Sequence, residues 1–175
     1  MLRKILTYGI VSGLIVGAMM FGTTMTLSDH GTSGMVIGYL TMLIALSLVF
    51  LAIKRHRDAD LGGVIRFWPA FGLGLGVSFV ASVLYTLSWE ATVAVLHLDF
   101  ANTYANSVIE RQKAAGIGAD ALAKLTAEME HFKTMYANPL YRLPMTFAEI
   151  FPVGVLVSLI SAALLRNSRV LPARR

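Results

Sequence analysis

Four apolar runs constrain this chain more than any other feature. Residues 5–27, 35–53, 67–87 and 145–165 each form, at the helical rise, a rod of about 30 Å, the thickness of a hydrocarbon core. A backbone surrounded by lipid must satisfy its own hydrogen bonds, so runs of this kind are helices. The expectation is an all-α, integral membrane four-helix domain, one unit over residues 1–175, with extracytoplasmic amphipathic helices between spans three and four at 88–144. Charge content agrees: 14% of residues are charged, where a soluble chain carries about 25%. A cleaved signal peptide competes for the first run. That run outlasts the roughly 7 to 15 apolar residues of such a segment, and no A-x-A site closes it.

The stretch Lys54–Arg66, KRHRDADLGGVIR, separates the second and third runs and orients the rest. Short loops rich in Lys and Arg stay on the side of synthesis, so this one is expected as a cytoplasmic loop, with both termini beside it. The net charge of +5 and the pI near 9.7 would suit nucleic acid if they formed a groove. Instead the basic excess collects at one set of span ends, at Arg3, Lys4, Lys54, Arg55, Arg57, Arg66 and the tail from Arg166. The other side mixes both signs. That is the positive-inside pattern, with some attraction to anionic headgroups, and it calls for membrane lipids as partners and no nucleic acid. Cysteine is absent, which removes disulfides, thiolate catalysis and thiolate metal sites.

Small residues recur within the spans. Gly9, Gly13 and Gly17 form a double G-x-x-x-G ladder in the first. The third carries Gly72, Gly74 and Gly76 with Ser78 and Ser82, and the fourth Gly154, Ser158 and Ala162. Such residues let helix backbones approach closely where lipid removes the hydrophobic drive, so Gly9, Gly13, Gly17, Gly72 and Gly76 are read as helix-packing positions. A homo-oligomer or a membrane-protein partner is the alternative use of those faces. The G-L-G-L-G run is no phosphate loop, because it lies inside an apolar span without a charged partner.

Between spans three and four, Trp89, Val93, Leu96, Phe100 and Tyr104 recur at helical steps. The helix is expected to continue outward or to bend along the surface, until Gly116 and Gly118 break it. A second amphipathic stretch places Leu122, Leu125, Met129, Phe132 and Tyr136 on one face, with Asp120 and Lys124 four apart on another. Pro139 and Pro144 are read as ending that helix. Pro152, inside span four, leaves the Ala148 carbonyl without its helical donor.

Candidate chemistry is sparse. Asp29 and His30, in the turn at 28–33, lack convergent geometry for a metal. Glu128 and His131 make one E-x-x-H step where a di-iron bundle needs two. No metal, cofactor or catalytic residue is therefore assigned. The topology puts Glu90 and Glu149 near one membrane face, with Arg142 and His97 as candidate partners. A carboxylate near hydrocarbon is costly unless it is paired, protonated or facing water, so these four form a speculative polar site.

Three segments carry a resemblance: LTYGIVSGLIVGAMM, then IALSLVFLAIKRHRD with LGGVIRFWPAFGLGLGV, and YANPLYRLPMTFAEIFPVGVLVSLISAALLRN. Together they resemble domain-of-unknown-function family 4199, small four-span bacterial membrane proteins. The K-x-x-R-D-x-x-x-G-G pattern at Lys54, Arg57, Asp58, Gly62 and Gly63 is the most distinctive part. The resemblance implies an integral protein of a bacterial inner membrane and transfers no functional residue. The expected role is non-enzymatic, as a structural, accessory or interaction component. The rival is a small transporter or channel subunit with a polar cleft lined by Glu90, Glu149 or span serines. An intramembrane enzyme ranks third and would need a buried acid and base within hydrogen-bond reach.

Overall fold

A computed structural model describes residues 1–26 and 32–172. Its elements are six helices: α1 (Leu2–Thr26), α2 (Thr32–Asp60), α3 (Phe67–Leu96), α4 (Phe100–Ala114), α5 (Ala119–Ala137) and α6 (Pro139–Leu165). Of these, α1, α2, α3 and α6 contain stretches long and apolar enough to cross a membrane. Residues 28–31 of the predicted turn, with Asp29 and His30, lie outside the described residues, as do Arg174 and Arg175.

The spans form a ring in the order α1, α2, α6, α3, with α2 and α3 also touching across it. Helices α1 and α3 run parallel, since Gly9 faces Val80, Gly13 faces Leu84 and Gly17 faces Ser88. A Cβ added at Gly9 or Gly13 would lie 2.6 Å from a neighbouring Cβ, so this seam requires glycine. Helices α3 and α6 run antiparallel, with Gly74 against Ser158 and Gly154 against Ser78. Ser78 Oγ donates to the Gly154 carbonyl at 3.1 Å, and Ser158 Oγ donates to the same oxygen at 2.7 Å.

Polarity is distributed as lipid demands. Ser12, Ser78 and Ser158 are fully buried, whereas Ile44 and Ile160 are each 60% exposed. In water that arrangement would expose apolar surface and bury hydroxyls without gain; in lipid the same surface is solvated and the hydroxyls bond across helices. With four apolar helices, the chain reads as a membrane protein.

Several boundaries differ from those expected. The charged stretch from Lys54 does not leave the helix: α2 runs on to Asp60, supported by Lys54 to Asp58 at 2.6 Å and His56 to Asp60 at 2.6 Å, both at i, i+4. Gly62, at φ 64°, then turns the chain, and Gly63 N–H donates to the Arg57 carbonyl at 2.9 Å. Only residues 61–66 form the connection. Helix α3 continues outward as expected, but it stops at Leu96, because His97 adopts φ 49° and ψ 44° and caps Val93. Pro139 begins α6 rather than ending α5. It occupies the first helical turn, where a missing N–H costs nothing, behind Asn138, whose side chain accepts from Leu140 N–H at 3.0 Å. Pro144 and Pro152 both lie inside α6.

At the end that carries the termini, Arg57 is fully buried. Its guanidinium donates to the carbonyls of Val170 at 2.9 Å and Leu171 at 2.5 Å, and to Asp58 at 2.7 Å. A longer bond of 3.5 Å reaches the Leu165 carbonyl at the last turn of α6. Lys4 pairs with Asp60, joining α1 to the same clamp.

Candidate functional site

The opposite end holds a cleft of about 440 Å³, bounded by α1, α3, α6 and the α4–α5 hairpin. This falls in the size range of small-molecule sites, about 300 to 1,000 Å³. Its lining is dominated by six rings, Tyr85, Trp89, Phe100, Tyr104, Phe132 and Tyr136, with one carboxylate, Glu149, two threonines and two methionines. Sequence spacing accounts for the placement of each wall. Tyr85 and Trp89 are four apart on α3, Phe100 and Tyr104 four apart on α4, and Phe132 and Tyr136 four apart on α5, so each pair shares a helix face. The break at His97 and Gly116 (φ 75°) folds the three faces together.

The rings touch in sequence. Trp89 meets Phe100 edge-on at 5.1 Å, Phe100 lies 5.3 Å from Tyr136, and Phe132 lies 5.4 Å from Tyr136 and 5.5 Å from Tyr104. Distances of this size suit aromatic pairs. Tyr136 is the hub. Trp89 Nε1 donates to its hydroxyl at 2.7 Å, and the Arg142 guanidinium lies 5.7 Å over its ring. Burial pushes the Tyr136 phenol up to about 12, against the Trp89 bond that lowers it, so the hydroxyl stays neutral.

The four residues of the speculative polar site do not form one constellation. Glu90 and Arg142 do pair, through Nε at 2.7 Å and through a second bond from the other guanidinium nitrogen, so the pair is bidentate. It joins the C-terminal part of α3 to the first turn of α6. His97 is at the α3 terminus with an exposed ring, and its role there is the backbone cap. Glu149 is seven residues beyond Arg142 on α6, about 10 Å deeper. It receives one bond, from the Tyr85 hydroxyl at 3.4 Å. Of the candidate partners, Arg142 pairs with Glu90, His97 pairs with neither carboxylate, and Glu149 faces the cleft.

Of the glycines read as packing positions, Gly9, Gly13 and Gly17 face α3, and Gly76 faces Ile5 at 2.8 Å. Gly72 does not pack: its nearest neighbour would be the Met1 methyl at 4.0 Å. Gly74, one face round, takes that place against Ile53 and Ser158 at 3.0 Å. Lys124 approaches Glu128 at 4.0 Å rather than Asp120, which sets Glu128 in a solvated helix face. Among the described residues no three His, Asp or Glu side chains converge as a metal site would need.

Sequence reading missed Tyr85 and Arg57. Tyr85 left a signal, its four-residue spacing to Trp89; Arg57 stood in the K-x-x-R-D-x-x-x-G-G pattern, which excludes Arg55, but the pattern says nothing of burial.

A family model described as Protein of unknown function (DUF4199) matches residues 7–167. No curated protein and no solved structure matches the chain.

Proposed function

We propose, from the premise that this chain belongs to DUF4199, a family of unknown function, that it is a non-enzymatic component of a bacterial inner membrane that holds an amphiphilic molecule in its aromatic cleft. The observation behind this reading is the combination of six rings and one carboxylate around about 440 Å³ at the edge of an apolar bundle. Ligand sites are mostly apolar with few placed polar groups, and this cleft has that balance. The basic residues at the other end favour a cytoplasmic location for both termini, which puts the cleft on the outer face. Surrounding lipid is its immediate source of ligand and its partner.

The transporter reading, built on Glu90 and Glu149, has less support. Glu90 is occupied by Arg142. Deeper in the bundle, Ser78, Ser158 and Gly154 bond to one another where a polar route would have to pass.

Native mass spectrometry of the full chain released from mild detergent tests the proposal. One retained amphiphile per chain is expected, with occupancy reduced in Phe132→Ala, which removes a wall. A chain that emerges without any adduct overturns the reading. Reporter fusions that place either terminus outside would overturn the orientation.

A further inference from the structure

We infer that the molecule held in the cleft carries a positive charge, an alkylated ammonium attached to an apolar body, with Glu149 as its counter-ion. This rests on the reading of the cleft as an amphiphile site. The inference begins with a comparison of carboxylates in the four apolar helices. Asp58 has Arg57 and Lys54, Asp60 has Lys4 and His56, and Glu90 has Arg142. Glu149 alone among them lacks a Lys, Arg or His partner within 4.0 Å among the described residues. Its one bond, 3.4 Å from Tyr85, is longer than the roughly 2.5 to 3.0 Å of a good hydroxyl bond. A carboxyl group among rings and lipid is best stabilised by a cation, and the protein supplies none at that place among the described residues.

The nearest candidate is already engaged. Arg142 gives two bonds to Glu90, a third of 3.5 Å to the Tyr136 carbonyl, and its face to the Tyr136 ring. The walls point to the same ligand chemistry as the carboxylate does. Aromatic faces attract cations through the ring quadrupole, and cages of such faces hold quaternary ammonium groups. An alkylated ammonium carries its charge under a surface of carbon, so it needs a counter-charge and aromatic contact rather than a set of acceptors. Six rings and one carboxylate dominate this lining.

The experiment uses the full chain in a neutral detergent with Trp68→Phe. Trp68 lies at the far end of α3, 75% exposed, and its removal leaves Trp89 as the sole indole reporter in the cleft wall. Hexyltrimethylammonium and its uncharged carbon isostere are titrated against Trp89 emission. The expected result is a saturable change with the cation at least about tenfold tighter than the isostere. Glu149→Gln removes that preference, and Glu149→Asp, which keeps the charge, restores part of it. Equal binding of cation and isostere, or a preference unchanged in Glu149→Gln, overturns the cationic assignment and leaves an amphiphile cleft standing. Failure of both probes to saturate Trp89 removes the amphiphile reading and this inference with it.

Discussion

Arg57, at the end of the bundle where α2 and α6 finish, is fully buried and tied to three carbonyls and a carboxylate, whereas Arg142, at the hairpin end, is partly exposed and tied to one carboxylate and one carbonyl. The surroundings differ in the same sense. Near Arg57 each acidic side chain meets a cation, and Asp60 meets two groups, Lys4 and His56. Near Arg142, packing is aromatic, and Glu149 keeps only a long phenol bond. At one end both carboxylates are paired within the protein, which makes it a clamp. The other keeps a carboxyl group with a single long bond beside a cavity, an arrangement that a ligand can complete.

The severest test of that contrast is Arg57→Met. Asp58 keeps Lys54, but the carbonyls of Val170 and Leu171 lose their donor, at about 1 to 3 kcal/mol for each buried acceptor left unpaired. Thermal unfolding in detergent should shift strongly downward, and the tail after Leu165 should become protease-sensitive. Wild-type melting would mean that the clamp is not what closes this end.

A smaller effect belongs to the seam between the two ends. Gly9→Ala places a methyl 2.6 Å from Val80 Cβ and 3.1 Å from the Val77 carbonyl. Overpacking against backbone costs about 1 to 3 kcal/mol. Gly72→Ala is the control, because its methyl meets open space, and it should be neutral or slightly stabilising. An equal response of the two variants would show that the close contact at Gly9 does not govern it.

The spans themselves were readable because hydropathy over about twenty residues reports directly on the solvent around a helix. Their limits were less so. Lys54 reads as an exit from lipid, which is a statement about solvent, yet the helix persists to Asp60 because its charges pair along it. Pro139 reads as a stop, and only the capping side chain of Asn138 turns it into a start. Gly72 and Gly74 are two apart and so lie on different faces, and composition alone cannot say which face meets Ile53 and Ser158. The cleft was half legible. The apolar faces of α4 and α5 stand in the sequence at steps of three and four, and Gly116 marks the turn between them, but the turn that folds α4 back against α3 depends on His97, which carries no glycine-like warning of its left-handed backbone.

The mildest disturbance bears on the hairpin end alone. Arg142→Met removes a bidentate pair whose side chains are 16% and 25% exposed, between the open and the buried classes, so about 1 to 2 kcal/mol is the expected loss. It also takes the guanidinium from the face of Tyr136, the ring through which α5 meets Trp89 and Phe100. The hairpin is held to the bundle by these contacts rather than by the spans, so its opening should be local. Amide exchange should rise in α4 and α5 and stay unchanged along the α1–α3 seam. Adding Glu90→Gln should recover part of the loss, because the single variant leaves an uncompensated carboxylate and the double does not. Exchange rising equally in α1 would mean that the two ends unfold as one unit, and the distinction between a closed clamp and a separately opening cap would fail.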